Sequence, residues 1–312
     1  LRTAGRVQFA AFIVEGPTLT LGIEAWLLIT VVAAFLQNVR SLLQKRLTGQ
    51  LSVNGAAYVR FCYAVPFAWI YALVLWRGEF DGLNSDFFAY ALLGGVAQIV
   101  GTSALLASFT AGNFAVGTAF SKTEAAQAAI FGLVVLGDVI DIWIVSGIAV
   151  SLVGVVFLSG QFRFHDLLKP NKAMLMGLLC GAGFGIAAVS FRGASLALDA
   201  GSFVQRAGLT VVAAVSMQTI IMGVFIALRE PDQLSRVLKN WRIAVWVGAI
   251  GMIASAGWFT AMTLKNAAVV RAVGQVELLF TVATSVWFFQ ERLRAREIVG
   301  ISLVVLGILL LI

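Results

Sequence analysis

The sequence predicts an all-α, polytopic membrane protein: ten transmembrane helices arranged as two inverted five-helix repeats. Three observations carry that expectation. Of 312 residues, 60% are hydrophobic and only 12% are charged, whereas a soluble domain of this size carries about 25% charged residues. Apolar runs recur along the whole chain with short polar connections, giving a mean hydropathy of +0.96. The second half of the chain also repeats the first at a fixed offset. Ten helices of about 20 residues use about 200, which leaves no room for a soluble catalytic or binding domain.

The elements follow in order. Residues 1–23 read as an N-terminal tail. Arg2, Arg6 and the apolar stretch 7–14 begin like a signal peptide, but no small-residue cleavage site follows. The first repeat, 24–159, holds five spans: 24–43, 56–75, 87–108, 114–136 and 142–159, each bounded by charge, Gly or Pro. Residues 160–172 form the longest polar connection and carry the only histidine, His165, with no ligand partners near it in sequence. The second repeat, 173–312, holds spans 173–198, 203–228, 243–264, 269–289 and 298–312. Tight connections suit antiparallel neighbours. Trp26, Trp76, Trp241 and Trp246 fall near span ends and read as interface anchors. Cys62 and Cys180 fall inside spans and are expected to be unlinked thiols.

An offset of 153 residues aligns the halves without a gap from the third span to the end of the fifth. It matches Ala91 with Ala244, Gly95 with Gly248, Asn113 with Asn266, Ala119 with Ala272, Glu124 with Glu277, Gly147 with Gly300 and Gly154 with Gly307. Five spans per copy is an odd number, so the second copy enters the membrane from the opposite side. Inverted repeats of this kind characterise secondary transporters, whose substrate sites lie near the midplane between the copies. The expectation is therefore a carrier.

The net charge of +7 would suggest nucleic acid in a soluble protein. Here the cations fall mostly in short loops, where topology and anionic lipid explain them. Connections after odd-numbered spans, Arg40 included, carry thirteen Lys and Arg; the other face, with Arg192, carries six. By the positive-inside rule both termini then lie outside.

The segment 269–312, with Glu291 closing its first helix and Gly300 and Gly307 in the next, resembles the drug/metabolite transporter superfamily, EamA-type. Residues 113–159 repeat the pattern with Asp138 at the acidic position, and Arg60 resembles an arginine that often follows the start of the second helix in such proteins. The resemblance covers 24–312. It implies a ten-helix carrier, often an exporter of amino acids or related metabolites, with termini inside rather than outside. Lys122, Glu124 and Glu277 depart from it, because many members are apolar or carry proline there.

Those departures are the leading site candidates. Glu124 lies ten residues into its expected span, about 15 Å and half of the hydrocarbon thickness, and Glu277 is its repeat mate. Ionisable groups at that depth are costly and functional by default. One reading is a proton- or ammonium-binding carboxylate pair; the other is a set of structural ion pairs to Lys122, Arg271 or Arg60. Lys122 sits about 200° round the helix from Glu124 and is suited to a substrate carboxylate or to a neighbouring helix. Arg271 and Gln275 are four residues apart on one face. Gln37, Asn38, Gln98 and the deep Trp258 complete the candidate list, with helix-helix hydrogen bonding or packing as the alternative for each. Ser216, Gln218 and Thr219 are weaker candidates. The run Gly181, Gly183, Gly185 reads as close helix packing, since a phosphate loop needs a strand before it and Lys-Ser/Thr after it. No zincin motif or nucleophile elbow is present, so an enzyme is not expected, and neither is a cofactor or a metal. The expected partners are a small polar or zwitterionic substrate, membrane lipids and protons as coupling ion, with no nucleic acid, in a bacterial inner membrane. A channel or facilitator is the alternative.

Overall fold

The computed structural model describes residues 24–47, 49–75, 82–110, 120–158, 172–280, 282–283 and 295–312, and the regular elements among them are helices. In chain order these are α1 (Ala25–Lys45), α2 (Val53–Cys62), α3 (Val65–Leu75), α4 (Ser85–Thr110), α5 (Glu124–Leu136) and α6 (Ile142–Leu158). The second half supplies α7 (Lys172–Leu196), α8 (Phe203–Arg229), α9 (Pro231–Lys239), α10 (Trp241–Leu264), α11 (Ala267–Val273) and α12 (Ala295–Leu309). Six helical stretches among the described residues are long and apolar enough to cross a membrane, and α5 and α6 are shorter apolar helices. Ten complete spans are more than the described residues contain. The tail 1–23, residues 114–119 of the expected fourth span, residues 281 and 284–289 of the expected ninth, and Trp76, His165 and Glu291 lie outside them.

The second span is two helices. Pro66 has no N–H to offer and its ring crowds the carbonyl four residues back, that of Cys62. The helix therefore stops at Cys62 and restarts at Val65. It also starts earlier than residue 56, because Ser52 caps it, accepting from the Gly55 amide at 3.0 Å. Gly137, at φ +67°, closes α5 with a turn in which the Asp138 amide reaches the Gly132 carbonyl at 3.1 Å. Ser202 and Gln205 form a reciprocal capping box at the start of α8. The short helix α9 was not foreseen: it lies in the connection before α10, with Val237 buried and Leu238 exposed.

Large apolar side chains point outward along the spans: Val74 and Leu228 are each 77% exposed and Val134 is 76% exposed. Such surfaces are unsupportable in water and suit lipid. The inner faces are built from small residues. Cβ atoms added at Gly183 and Gly185 would lie 2.6 Å from Gly101 Cα on α4 and 3.1 Å from the Ala128 nitrogen on α5, so α7 is wedged between those two helices, the role expected of its glycine run.

Helix partners repeat across the halves. α1 packs along α10, and α4 packs along α7. Adding 153 to α1 gives 178–198, within and just past α7, and adding it to α4 gives 238–263, essentially α10. The two pairs are one arrangement seen twice. The pair α6–α12 maps onto itself. Reciprocal pairing of this kind follows when two copies pack about a two-fold relationship. At the α6–α12 contact, Gly154 meets Gly300 and Gly147 meets Gly307, backbone against backbone.

Trp26 departs from its expected role as a lipid anchor. It is 4% exposed, donates to Glu24 and lies 5.4 Å under the Lys265 ammonium. Lys265 also pairs with Glu24 at 3.6 Å, so these groups tie the start of α1 to the end of α10. Trp241 and Trp246 are 56% and 62% exposed, as anchors should be. Cys62 and Cys180 are free thiols.

Candidate functional site

Both helices that carry the candidate carboxylates are interrupted, and at equivalent places. The fourth span is helical at 120–121, turns at Lys122–Thr123, and resumes as α5 at Glu124. In the ninth, α11 ends at Val273 and a tighter 3₁₀ turn, Gly274–Val276, precedes Glu277. Adding 153 to 122–123 gives 275–276. Local chemistry accounts for both breaks. The Thr123 hydroxyl donates to the Phe120 carbonyl at 2.6 Å, a side-chain bond that competes with the helix. Gly274 lies directly under the Trp258 ring, where a Cβ would clash. The sequence reading put Glu124 inside an unbroken span; it instead opens a helix. Interrupted helices at the membrane centre line substrate sites in transporters, and single turns of 3₁₀ often mark functional positions.

At this level Lys122 pairs with Glu277. Their side chains are 15% and 18% exposed, so the bond is largely shielded. Gln37 of α1 donates to the other Glu277 carboxylate oxygen at 2.7 Å, and the Asn38 amide lies 3.5 Å from the Glu277 carbonyl oxygen. One carboxylate thus gathers the first, fourth and ninth spans. Glu124 forms no ion pair among the described residues; its charge bears on Lys122. The Cys180 thiol of α7 lies in the field of Glu124, Lys122 and Arg271.

Three arginines adjoin this pair. Arg271 is 8% exposed, with its guanidinium 5.1 Å from the Trp258 ring centre and 5.9 Å from that of Phe184. Arg40 is 7% exposed and crosses α10 at Gly251, where an added methyl would lie 3.0 Å from its Cδ. Arg60 lies over Phe61 and within electrostatic reach of both. Gln275 is 1% exposed and neither of its amide atoms has a partner; the Trp258 indole N–H is also unpartnered.

The structure therefore brings together Glu124, Glu277, Lys122, Gln275, Arg271, Gln37, Asn38 and Trp258. Gln98 is committed elsewhere: it accepts from Gln218 at 2.7 Å and ties α4 to α8. Arg40 was missed because it was counted as a loop cation, although Gln37, Arg40 and Gln44 follow helical spacing, a polar stripe legible in the sequence. Arg192 was likewise counted in a loop. It lies within α7, donates to the Met262 and Lys265 carbonyls at 2.6 and 2.8 Å, and pairs with Asp138 at 3.5 Å. Its charge thereby sits at the C-terminal end of α10, where a cation is favoured.

A separate polar latch lies outside the spans. Glu230, between α8 and α9, accepts from the Ser52 hydroxyl and from Asn54 at 2.6 Å, while Gln233 accepts from the Ser52 amide at 2.8 Å. These hydrogen bonds hold the Glu230 carboxyl below its ordinary 4.5. Among the described residues no cluster of His, Cys, Asp or Glu is arranged to hold a metal.

No curated protein matches the chain. A solved structure, described only as a crystal structure of a protein, superposes with a TM-score of 0.68 at 15% identity, covering 92% of this chain and 97% of that one. At that identity the likeness speaks for the fold. The profile of the EamA-like transporter family matches twice, over residues 24–160 and 171–312. An integral membrane protein with two copies of that profile, the chain belongs to the EamA-like transporter family of the drug/metabolite transporter superfamily.

Proposed function

We propose that the protein is a secondary carrier for a small polar or zwitterionic metabolite, working by alternating access between two inverted five-helix repeats, 24–159 and 173–312. The carboxylates Glu124 and Glu277 couple movement to protons, and the direction is export across a bacterial inner membrane. One observation supports this most: the largely shielded Lys122–Glu277 pair joins the two interrupted, repeat-related helices. The tie depends on charge. With Glu277 ionised, the fourth and ninth spans are held together; a proton on Glu277 removes the attraction and releases Lys122. A bond that a proton can break between the two halves is what coupled rocking of the repeats requires.

The same pair supports a second reading, in which the protein is a channel or facilitator and Lys122–Glu277 is purely structural. The two separate in proteoliposomes. A thermal-shift screen over amino acids, amines, nucleosides and drugs first identifies a ligand. A carrier then gives saturable uptake that is accelerated by unlabelled ligand on the opposite side. Flux that rises linearly with concentration and shows no counterflow contradicts the carrier and supports the facilitator.

A further inference from the structure

The donors and acceptors left over at the site are unequal. Among the described residues there, the buried Arg40 Nε–H, Arg271 Nε–H, Trp258 Nε1–H and Gln275 amide nitrogen have no partner, against one unpartnered acceptor, the Gln275 amide oxygen. Buried donors without partners are expensive, about 1–3 kcal/mol each, and native proteins keep few of them. Charge is unequal too. Among the described residues the acidic groups set against Arg40, Arg60, Arg271 and Lys122 are Glu277 and Glu124, and Glu277 is already held by Lys122 and Gln37.

Helix geometry places these donors along one surface. Gly251, under Arg40, and Trp258, under Arg271, are seven residues apart on α10, which is two turns and about 10.5 Å on one face. Gly248, one turn before Gly251, meets the backbone of Tyr63, and Arg60 is one turn before Tyr63 on α2. Arg40 and Arg271 thus reach one face of α10 from two helices, and Arg60, on a third helix that packs there, lies within electrostatic reach of both. A guanidinium offers a planar fork of donors and matches the paired oxygens of carboxylate or phosphate.

We propose that the substrate is recognised by an anionic oxyacid group, a carboxylate or a phosphate, held among Arg40, Arg60 and Arg271, with Gln275 and the Trp258 indole donating beside them. This rests on the carrier reading above and narrows it: the oxyacid end is gripped by the arginines, and any amine end is left to the carboxylates. The bound oxygens give the surplus donors their acceptors and offset the surplus positive charge.

The test is thermal stabilisation of the purified full chain in detergent by succinate, inorganic phosphate, alanine and alaninamide at matched ionic strength. Alaninamide keeps the amine of alanine and lacks its carboxylate. At least one oxyacid should raise Tm, and alaninamide should not. Arg271→Gln should weaken that oxyacid about tenfold or more, the loss of one charged hydrogen bond, with partial recovery in Arg271→Lys. Arg60→Gln supplies the same readout if Arg271→Gln does not fold. The proposal is overturned if no oxyacid stabilises, if alaninamide stabilises equally, or if the variants bind unchanged. It is also overturned if phosphatidylglycerol alone stabilises, since the arginines then hold a lipid headgroup. Counterflow of the stabilising compound separates this inference from the carrier reading. An oxyacid that binds but never crosses leaves the site standing and removes the carrier; alaninamide crossing while oxyacids do not leaves the carrier standing and removes the site.

Discussion

Replacing Gly154 by alanine should destabilise the protein more than any nearby substitution on the lipid face. A methyl there would lie 2.7 Å from the Val304 nitrogen, 2.8 Å from the Gly300 carbonyl oxygen and 2.9 Å from Val304 Cγ2. Ordinary contact begins at 3.4 Å, so α6 and α12 must part by about 0.7 Å. Two of the three obstructing atoms are backbone and cannot rotate away. The same displacement loosens the Gly147–Gly307 contact two turns along, where a methyl on Gly307 would meet the Gly147 carbonyl oxygen at 2.7 Å. Overpacking costs about 1–3 kcal/mol, and two coupled contacts place Gly154→Ala in the upper half of that range. The assay is thermal unfolding in detergent followed by tryptophan fluorescence, with Val153→Ala as control because Val153 is 49% exposed. Gly307→Ala, the repeat-related change, should behave alike. A Gly154→Ala protein as stable as the Val153→Ala control refutes the packing argument.

Two further outcomes follow. Removing one partner of a buried ion pair costs about 3–5 kcal/mol; partial exposure and the Gln37 bond place Lys122→Met near the lower end. Lys122→Met combined with Glu277→Gln should recover most of the loss, and additive single effects in that cycle would show that the two groups are not coupled. At the surface, the depressed Glu230 carboxyl stabilises the latch above its ordinary value of 4.5, and that contribution is lost as pH falls through the lower folded-state value. Amide protection at the start of α2, corrected for the intrinsic pH dependence of exchange, should therefore fall on acidification in the wild type and be low at all pH in Glu230→Ala; identical pH profiles of protection would show that the latch does not titrate.

Much of this architecture could be read from the sequence, for a physical reason. Lipid demands outward apolar side chains over whole spans, so runs such as 203–228 are nearly the structural α8, Phe203–Arg229. The 153-residue offset was legible because Gly147, Gly154, Gly300 and Gly307 sit where helices touch through backbone, and only glycine fits. The interruptions were not legible. Pro66 announces one, yet an apolar count runs straight across it. The turn at Lys122–Thr123 depends on a hydroxyl bond and on α7 glycines packed from outside, and periodicity carries neither. Arg40 and Trp26 were misplaced for the same reason: charge and aromatic rings near span ends usually face the interface, and here tertiary partners draw both inward. At the site, residue types were foreseen better than partners. Glu277 was singled out as a midplane carboxylate; that it holds Gln37 and Lys122 at once is a three-helix contact that no single run of sequence contains.

The central claim is that Glu124 and Glu277 carry the proton that drives the carrier. It is tested most directly by flux driven by a pH gradient in proteoliposomes. Wild-type protein, Glu124→Gln and Glu277→Gln are compared using the compound found in the ligand screen. Each variant should keep the fold and lose pH-driven accumulation. If both variants accumulate it normally with unchanged pH dependence, the carboxylates are structural and proton coupling through them is contradicted.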